Sequence, residues 1–131
     1  MGGHRVLHVA FSDDWEACER FGEYNVATRN TLYEVEGFVH ATTLAGLPSV
    51  LDGRYADASI PLVLAVIDED SLADEGIEVV WEPQDGAPGG LVPRILGAFP
   101  MDGRTVAAVV ELDRVAGRWV VPDLSGLSVR P

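Results

Sequence analysis

The stretch PLVLAVID, Pro61 to Asp68, is a continuous apolar run of strand length. Such a run predicts the most buried strand of a sheet, covered on both faces. Nearer the N-terminus, RVLHVAF (Arg5 to Phe11) alternates so that Leu7, Val9 and Phe11 share one face while Val6, His8 and Ala10 share the other. This predicts a first strand. Ser12 is placed to cap a helix in which Trp15, Cys18 and Phe21 recur at helical spacing, with Asp13 and Asp14 at the positive end of its dipole. The run EYNVATRNTLYEVEG has no sustained period and predicts an ordered loop with short extended pieces. GFVHATT (Gly37 to Thr43) reads as a strand ending in two threonines that could cap a helix carrying Leu44, Leu47, Val50 and Leu51. Pro48 predicts that this helix either starts or bends there.

Beyond Asp68, IEVVWE (Ile77 to Glu82) is expected to be the neighbour of PLVLAVID. The turn formers PQDGAPGG, Pro83 to Gly90, predict the most mobile loop. TVAAVVEL and RWVV flank a turn at Ala116 and Gly117 as a hairpin, and a polar tail follows Pro122. Strands outnumber helices, and the helices cluster early instead of alternating with every strand. An α+β fold is therefore expected over a doubly wound sheet, as a single domain over residues 1–131 without internal repeat or linker.

Composition removes several chemistries. The nine basic residues are all arginines, so Schiff-base catalysis, pyridoxal phosphate attachment and a P-loop lysine are impossible. Cys18 is the only cysteine and can form neither an internal disulfide nor a multi-cysteine zinc site. A net charge of -12 repels phosphates, so no nucleic acid partner is expected. No apolar run is long enough to span a membrane, and the start MGGHRV lacks the layout of a secretion signal. A cytoplasmic location without membrane contact is the expectation.

Familiar catalytic motifs are missing: there is no GxGxxG after a strand, no GxSxG and no HExxH. On a strand His4 and His8 stand about 13 Å apart, too far for one metal ion, so no metal site is expected. Asp68, Glu69 and Asp70 resemble the opening of a calcium loop, but Ala73 stands where that turn needs glycine, and a solvated turn is expected instead. What remains is a scatter of polar groups beside predicted strands: His8, Arg29, His40, Thr42, Glu82 and Arg94. His40 interrupts an apolar strand and is either a hydrogen-bonded core histidine or a pocket group that orients a ligand or moves a proton. His8 offers the same choice. Arg29, among small polar residues, is either a surface charge or a fork for a carboxylate or phosphate. Glu82 is either solvated or a partly desolvated acid.

The segments GEYNVATRNTLYEVEGFVHATT (Gly22 to Thr43), PLVLAVID and VPRILGAFP together resemble an uncharacterised bacterial family, domain of unknown function family 952. His8, Trp15, Gly22 to Tyr24, Gly37 to His40 and Leu62 to Asp68 match its pattern. The resemblance implies an ADP-ribosyltransferase-like fold, with a split, antiparallel-rich sheet, a few short helices and a cleft between its halves. It points to His8, Arg29, His40 and Thr42 as cleft positions, with Glu82 a further addition. Val92, Arg94, Leu96 and Ala98 replace the family's usual phenylalanine, histidine, tyrosine and proline. Arg94 adds a fixed cation where an imidazole is usual, which favours an anionic ligand.

Three functions follow as expectations. The first is a small enzyme acting on NAD or another small anionic molecule, with arginines (Arg29, Arg94) and Thr42 binding and His40, His8 and Glu82 catalytic; NAD is the possible cofactor. The second is a non-catalytic binding, resistance or accessory protein. The third is a biosynthetic enzyme that uses the cleft for acid-base rearrangement of a metabolite.

Overall fold

The computed structural model describes residues 4–28 and 31–131, together with the backbone alone of Tyr33. Strand β1 (Arg5–Phe11) leads into helix α1 (Ser12–Phe21), followed by the short strands β2 (Glu23–Tyr24), β3 (Val26–Thr28) and β4 (Thr31–Leu32). A single turn α2 (Tyr33–Glu36) precedes β5 (Val39–His40), α3 (Leu47–Gly53) and β6 (Leu62–Asp68). Then come α4 (Glu69–Asp74), β7 (Val79–Pro83), a 3-10 turn (Pro88–Gly90), β8 (Leu91–Ile95) and β9 (Phe99–Pro100). The chain closes with β10 (Val106–Glu111), β11 (Arg114–Val115) and β12 (Arg118–Trp119). The fold is α+β, with antiparallel sheets and four short α-helices among the described residues.

β6 is the central strand of a sheet ordered β1-β6-β10, antiparallel on both sides. Its continuous apolar sequence has a direct cause in this position. Val63, Ala65 and Ile67 join Val6, Ala10, Trp15, Tyr24 and Phe99 in one core layer. Leu62, Leu64 and Val66 join Leu7, Val9, Leu47, Leu51 and Tyr55 in the other. At roughly 1.5–3 kcal/mol for each buried large apolar side chain, these two layers are the main source of stability.

The second sheet, ordered β5-β8-β7, corrects the placement of IEVVWE: β7 pairs with β8, not with β6. Both edges of β6 are taken by β1 and β10, and the turn formers after Pro83 fold β7 straight back onto β8. That turn is tied by backbone bonds from Gln84 to Gly90 and from Gly90 to Ala87. The expected hairpin of TVAAVVEL and RWVV is likewise replaced by two pairings. β10 belongs to β6, and only the short β11 and β12 flank Ala116 and Gly117.

Helix ends differ from expectation at Ser12 and at Asp68, while Pro48 marks a helix start. Ser12 is the first helical residue instead of the cap, because the strand runs through Phe11 and Ser12 donates its backbone N–H to Pro61. Helix α3 starts at Leu47, with Pro48 in the first turn where its missing N–H costs nothing. Leu44 stays partly exposed outside it. Asp68 to Asp70 form not a solvated turn but the start of α4, in which the Asp68 carboxylate accepts from the Ser71 N–H at 3.0 Å. The segment after Pro122 is tied to the body: Val129 bridges Arg5, Leu124 is buried, and Arg130 forms a two-point ion pair with Glu69.

Candidate functional site

Among the described residues the backbones of the two sheets meet at one bridge pair, in which Leu7 of β1 and Thr42 exchange hydrogen bonds of 2.8 Å each. Continuing that antiparallel ladder by two residues would pair Val9 with His40. Side chains take over there instead. Nδ1–H of His8 donates to the His40 carbonyl at 2.6 Å, and the Tyr55 hydroxyl donates to the Val9 carbonyl at 3.2 Å. Both carbonyls are satisfied without the strands closing, and the sheets stay apart. A cavity of about 470 Å³ opens at this split, within the size range of small-molecule sites.

β1 contributes Leu7, His8 and Val9 to the cavity wall. The opposite wall carries His40, Thr42 and, from β8, Val92 and Arg94. Helix α3 and the residues after it add Val50, Arg54 and Tyr55, and the turn between β7 and β8 adds Gln84, Asp85 and Pro88. Apolar side chains share this lining with polar ones, among them His8, Thr28, His40, Arg54, Asp85 and Arg94.

His8 is 2% exposed and has both ring nitrogens engaged. Because Nδ1 donates to a carbonyl, Nε2 is the acceptor, and the buried Tyr24 hydroxyl donates to it at 2.7 Å. Burial lowers the His8 pKa to about 4, against a weaker opposing effect of its bond to His40. A neutral imidazole held on both sides braces the split from within the core. The core-histidine alternative describes His8.

His40 is different, with a side chain 23% exposed and facing the cavity. Its Nδ1 lies 2.7 Å from a terminal nitrogen of Arg54, and its Nε2 lies 2.9 Å from Oε1 of Glu36. A guanidinium only donates and a carboxylate only accepts. The ring is therefore neutral, protonated on Nε2, and accepts from Arg54 on Nδ1. The same Arg54 nitrogen donates to the Thr28 hydroxyl at 3.1 Å. Desolvation lowers the His40 pKa most, the charges of Arg54 and Arg94 lower it further, and Glu36 opposes them. Arg94, paired with His40 across β5 and β8, holds its guanidinium 4.4 Å above the Phe38 ring.

Among the expected site residues, His8, His40, Thr42 and Arg94 come together at this cavity. Thr42 is buried at the bridge pair. Glu82 lies on β7 opposite Val92 and is not part of the cavity wall; the carboxylate in that wall is Asp85. Arg29 lies outside the described residues. Sequence reasoning missed Arg54 and Glu36. Arg54 follows a helix whose apolar stripe drew all the attention, and only folding carries it to His40. Glu36 did leave a signal, standing four residues before His40 and next to Gly37. The positive φ of Gly37, +84°, lets the chain reverse from α2 into β5 and lay the carboxylate on the ring.

Residues 9–109 match the family described as Protein of unknown function (DUF952). The chain belongs to this family. No curated protein matches its sequence. Its fold is similar to the crystal structure of protein CC0527 from Caulobacter crescentus, with a TM-score of 0.72 at 17% identity over 88% of this chain and 93% of that one. A double mutant of CC0527 gives the same figures. In this DUF952 chain, Val92 and Arg94 of the departing VPRILGAFP segment face the cavity, whereas Leu96 and Ala98 do not line it. Among the described residues no helix is long and apolar enough to cross a membrane. No group of three or more histidine, cysteine or carboxylate side chains there could hold a metal ion.

Proposed function

We propose that the cavity at the sheet split binds a small anionic molecule and that the protein is an enzyme acting on it, with His40 as the proton carrier. The observation that carries this reading is that one cavity is lined by the Arg54 guanidinium together with the Thr28 hydroxyl and the neutral imidazole it bonds to. A cation with a planar fork suits a carboxylate or phosphate, and a neutral histidine can accept a proton near pH 7. Arg94 adds a second positive charge to the same wall. The split between antiparallel sheets supports an ADP-ribosyltransferase-like cleft, and NAD is one candidate ligand. In an NAD-cleaving version Asp85, not Glu82, would face the developing positive charge on the sugar. The net charge of -12 argues against a nucleic acid ligand, and the reading is of a cytoplasmic protein acting on small metabolites.

A second reading, binding without turnover, draws on the engagement of both His40 ring nitrogens by protein groups.

A thermal-shift screen over NAD, nucleotides and organic carboxylates tests the first part. A compound that stabilises the parent but not Arg54→Met is the expected result. Should no anion stabilise the parent, the anion site is lost. Mass spectrometry of the stabilising compound after incubation then separates the readings: conversion abolished in His40→Gln supports the enzyme, and an unchanged compound leaves the binder.

A further inference from the structure

His40 and Arg54 hold each other in an arrangement that an anion would break. The guanidinium donates to Nδ1 of the ring while the Glu36 carboxylate accepts from Nε2. The ring is thus clamped between a cation and an anion, and only its neutral form satisfies both. Among the described residues, Arg94 on β8 and His8 on β1 also act on it, and the Asp85 carboxylate of the β7–β8 turn shares its cavity. Arg94 contributes positive charge, and His8 contributes a neutral ring bonded to the His40 carbonyl. Arg54 is an exposed residue just past α3.

Resting on the anion-binding reading above, we infer that this site takes up its ligand together with a proton: an oxyanion pairs with Arg54, draws the guanidinium off Nδ1 of His40, and the freed nitrogen is protonated from solvent. The steps balance in charge and hydrogen bonds. The anion neutralises Arg54, which removes both the donor blocking Nδ1 and the positive charge that disfavoured an imidazolium. Nδ1 gains one proton from water, and the new N–H donates to an oxygen of the anion. Nε2–H keeps its bond to Glu36, now as a charge-assisted pair. The bound state presents an imidazolium against the ligand, a general acid already loaded. The free state holds the same ring neutral. Ligand binding itself therefore charges the catalyst, and affinity rises as the pH falls.

The ligand class follows from this geometry. It carries at least one oxyanion that stays ionised near neutral pH, and the Leu7, Val50, Val92 and Pro88 side chains of the lining suit an apolar body.

The test is a titration of ring-labelled histidine by nitrogen NMR, using sulfate and benzoate as probes because neither takes up a proton itself between pH 5.5 and 8. With either probe, the His40 ring is expected to become doubly protonated at a pH at least half a unit higher than without it. Probe affinity should then rise toward a limit of about tenfold per pH unit of acidification. In Arg54→Met the free His40 should titrate at higher pH than in the parent, with no further shift on adding probe. Stronger binding of benzoate than sulfate assigns a carboxylate with an apolar body, and the reverse order assigns a compact phosphate-like anion. If a probe binds but the His40 titration is unmoved, the coupling is wrong and the anion site survives. If neither probe perturbs the Thr28, His40 or Arg54 resonances at high millimolar concentration, the anion site fails and the coupling with it.

Discussion

Tyr24 and His8 use their hydrogen-bonding capacity on each other inside the core, and the consequence is a pH dependence that can be measured. The unfolded chain carries His8 with its ordinary pKa of 6.5, whereas the folded protein lowers it to about 4. Between those values the unfolded state binds a proton that the native state refuses. Stability from this residue is therefore complete above pH 6.5 and is lost as pH falls toward 4, reaching about 2 kcal/mol by pH 5. Urea unfolding at pH 7.5 and pH 5 should show that loss in the parent and a much smaller one in His8→Gln; equal losses in both would clear His8 of the effect. Removing the partner hydroxyl in Tyr24→Phe leaves a buried acceptor without its donor. It should cost about 1–3 kcal/mol at pH 7.5, read from the same unfolding curves.

Two glycines, one just before helix α3 and one at its end, should respond to substitution in opposite directions. A Cβ on Gly46 would meet the Thr42 hydroxyl at 2.3 Å. Thr42 is buried, β-branched and fixed by its bridge to Leu7, so it has little room to yield. Gly46→Ala is expected to lower stability by about 1–3 kcal/mol. Gly53, at the other end of α3, has nothing within 4 Å of its Cβ position. Gly53→Ala should raise stability by about 0.5–1 kcal/mol through the lower entropy of its unfolded chain. Thermal unfolding of both variants checks the pair, and a stabilised Gly46→Ala would mean that Thr42 is not held as described. At this scale the sequence was legible where one element carries its own pattern. β1 and β6 lie at the residues their apolar patterns predicted, and Pro48 marked the start of α3. Boundaries set by a neighbour were not legible: Ser12 looks like a cap until the Pro61 carbonyl claims its N–H.

The C-terminal segment joins parts of the molecule that are far apart in the chain. Val129 pairs with Arg5, the Arg130 carbonyl accepts from Leu44, and the Arg130 side chain grips Glu69 over the Trp81 ring. Ending the chain at Asp123 removes those ties and the buried Leu124, and should cost at least about 2 kcal/mol in urea unfolding. An unchanged midpoint would show that the segment merely lies on the surface. Nothing in VPDLSGLSVRP announces this role, since its polar composition reads as a tail and its partners Arg5, Leu44, Glu69 and Trp81 lie far away in the chain. The same division holds for the candidate site. His40 stood out because a polar residue in an apolar strand breaks a local period, and Arg94 because it departs from a family pattern. Arg54 carries no such mark, and Glu82 was chosen for a strand end that turns out to lie off the cavity wall. By itself the sequence determined that β6 would be buried on both faces, that the fold would be α+β and that lysine and multi-cysteine chemistry were out of reach, because periodicity and composition are properties of neighbouring residues or of simple counts. Only the tertiary structure decided that β7 pairs with β8, that side chains take over from the backbone ladder where the sheets split, and that a guanidinium past α3 meets the imidazole of β5, because such contacts depend on how distant elements pack and leave no period along the chain.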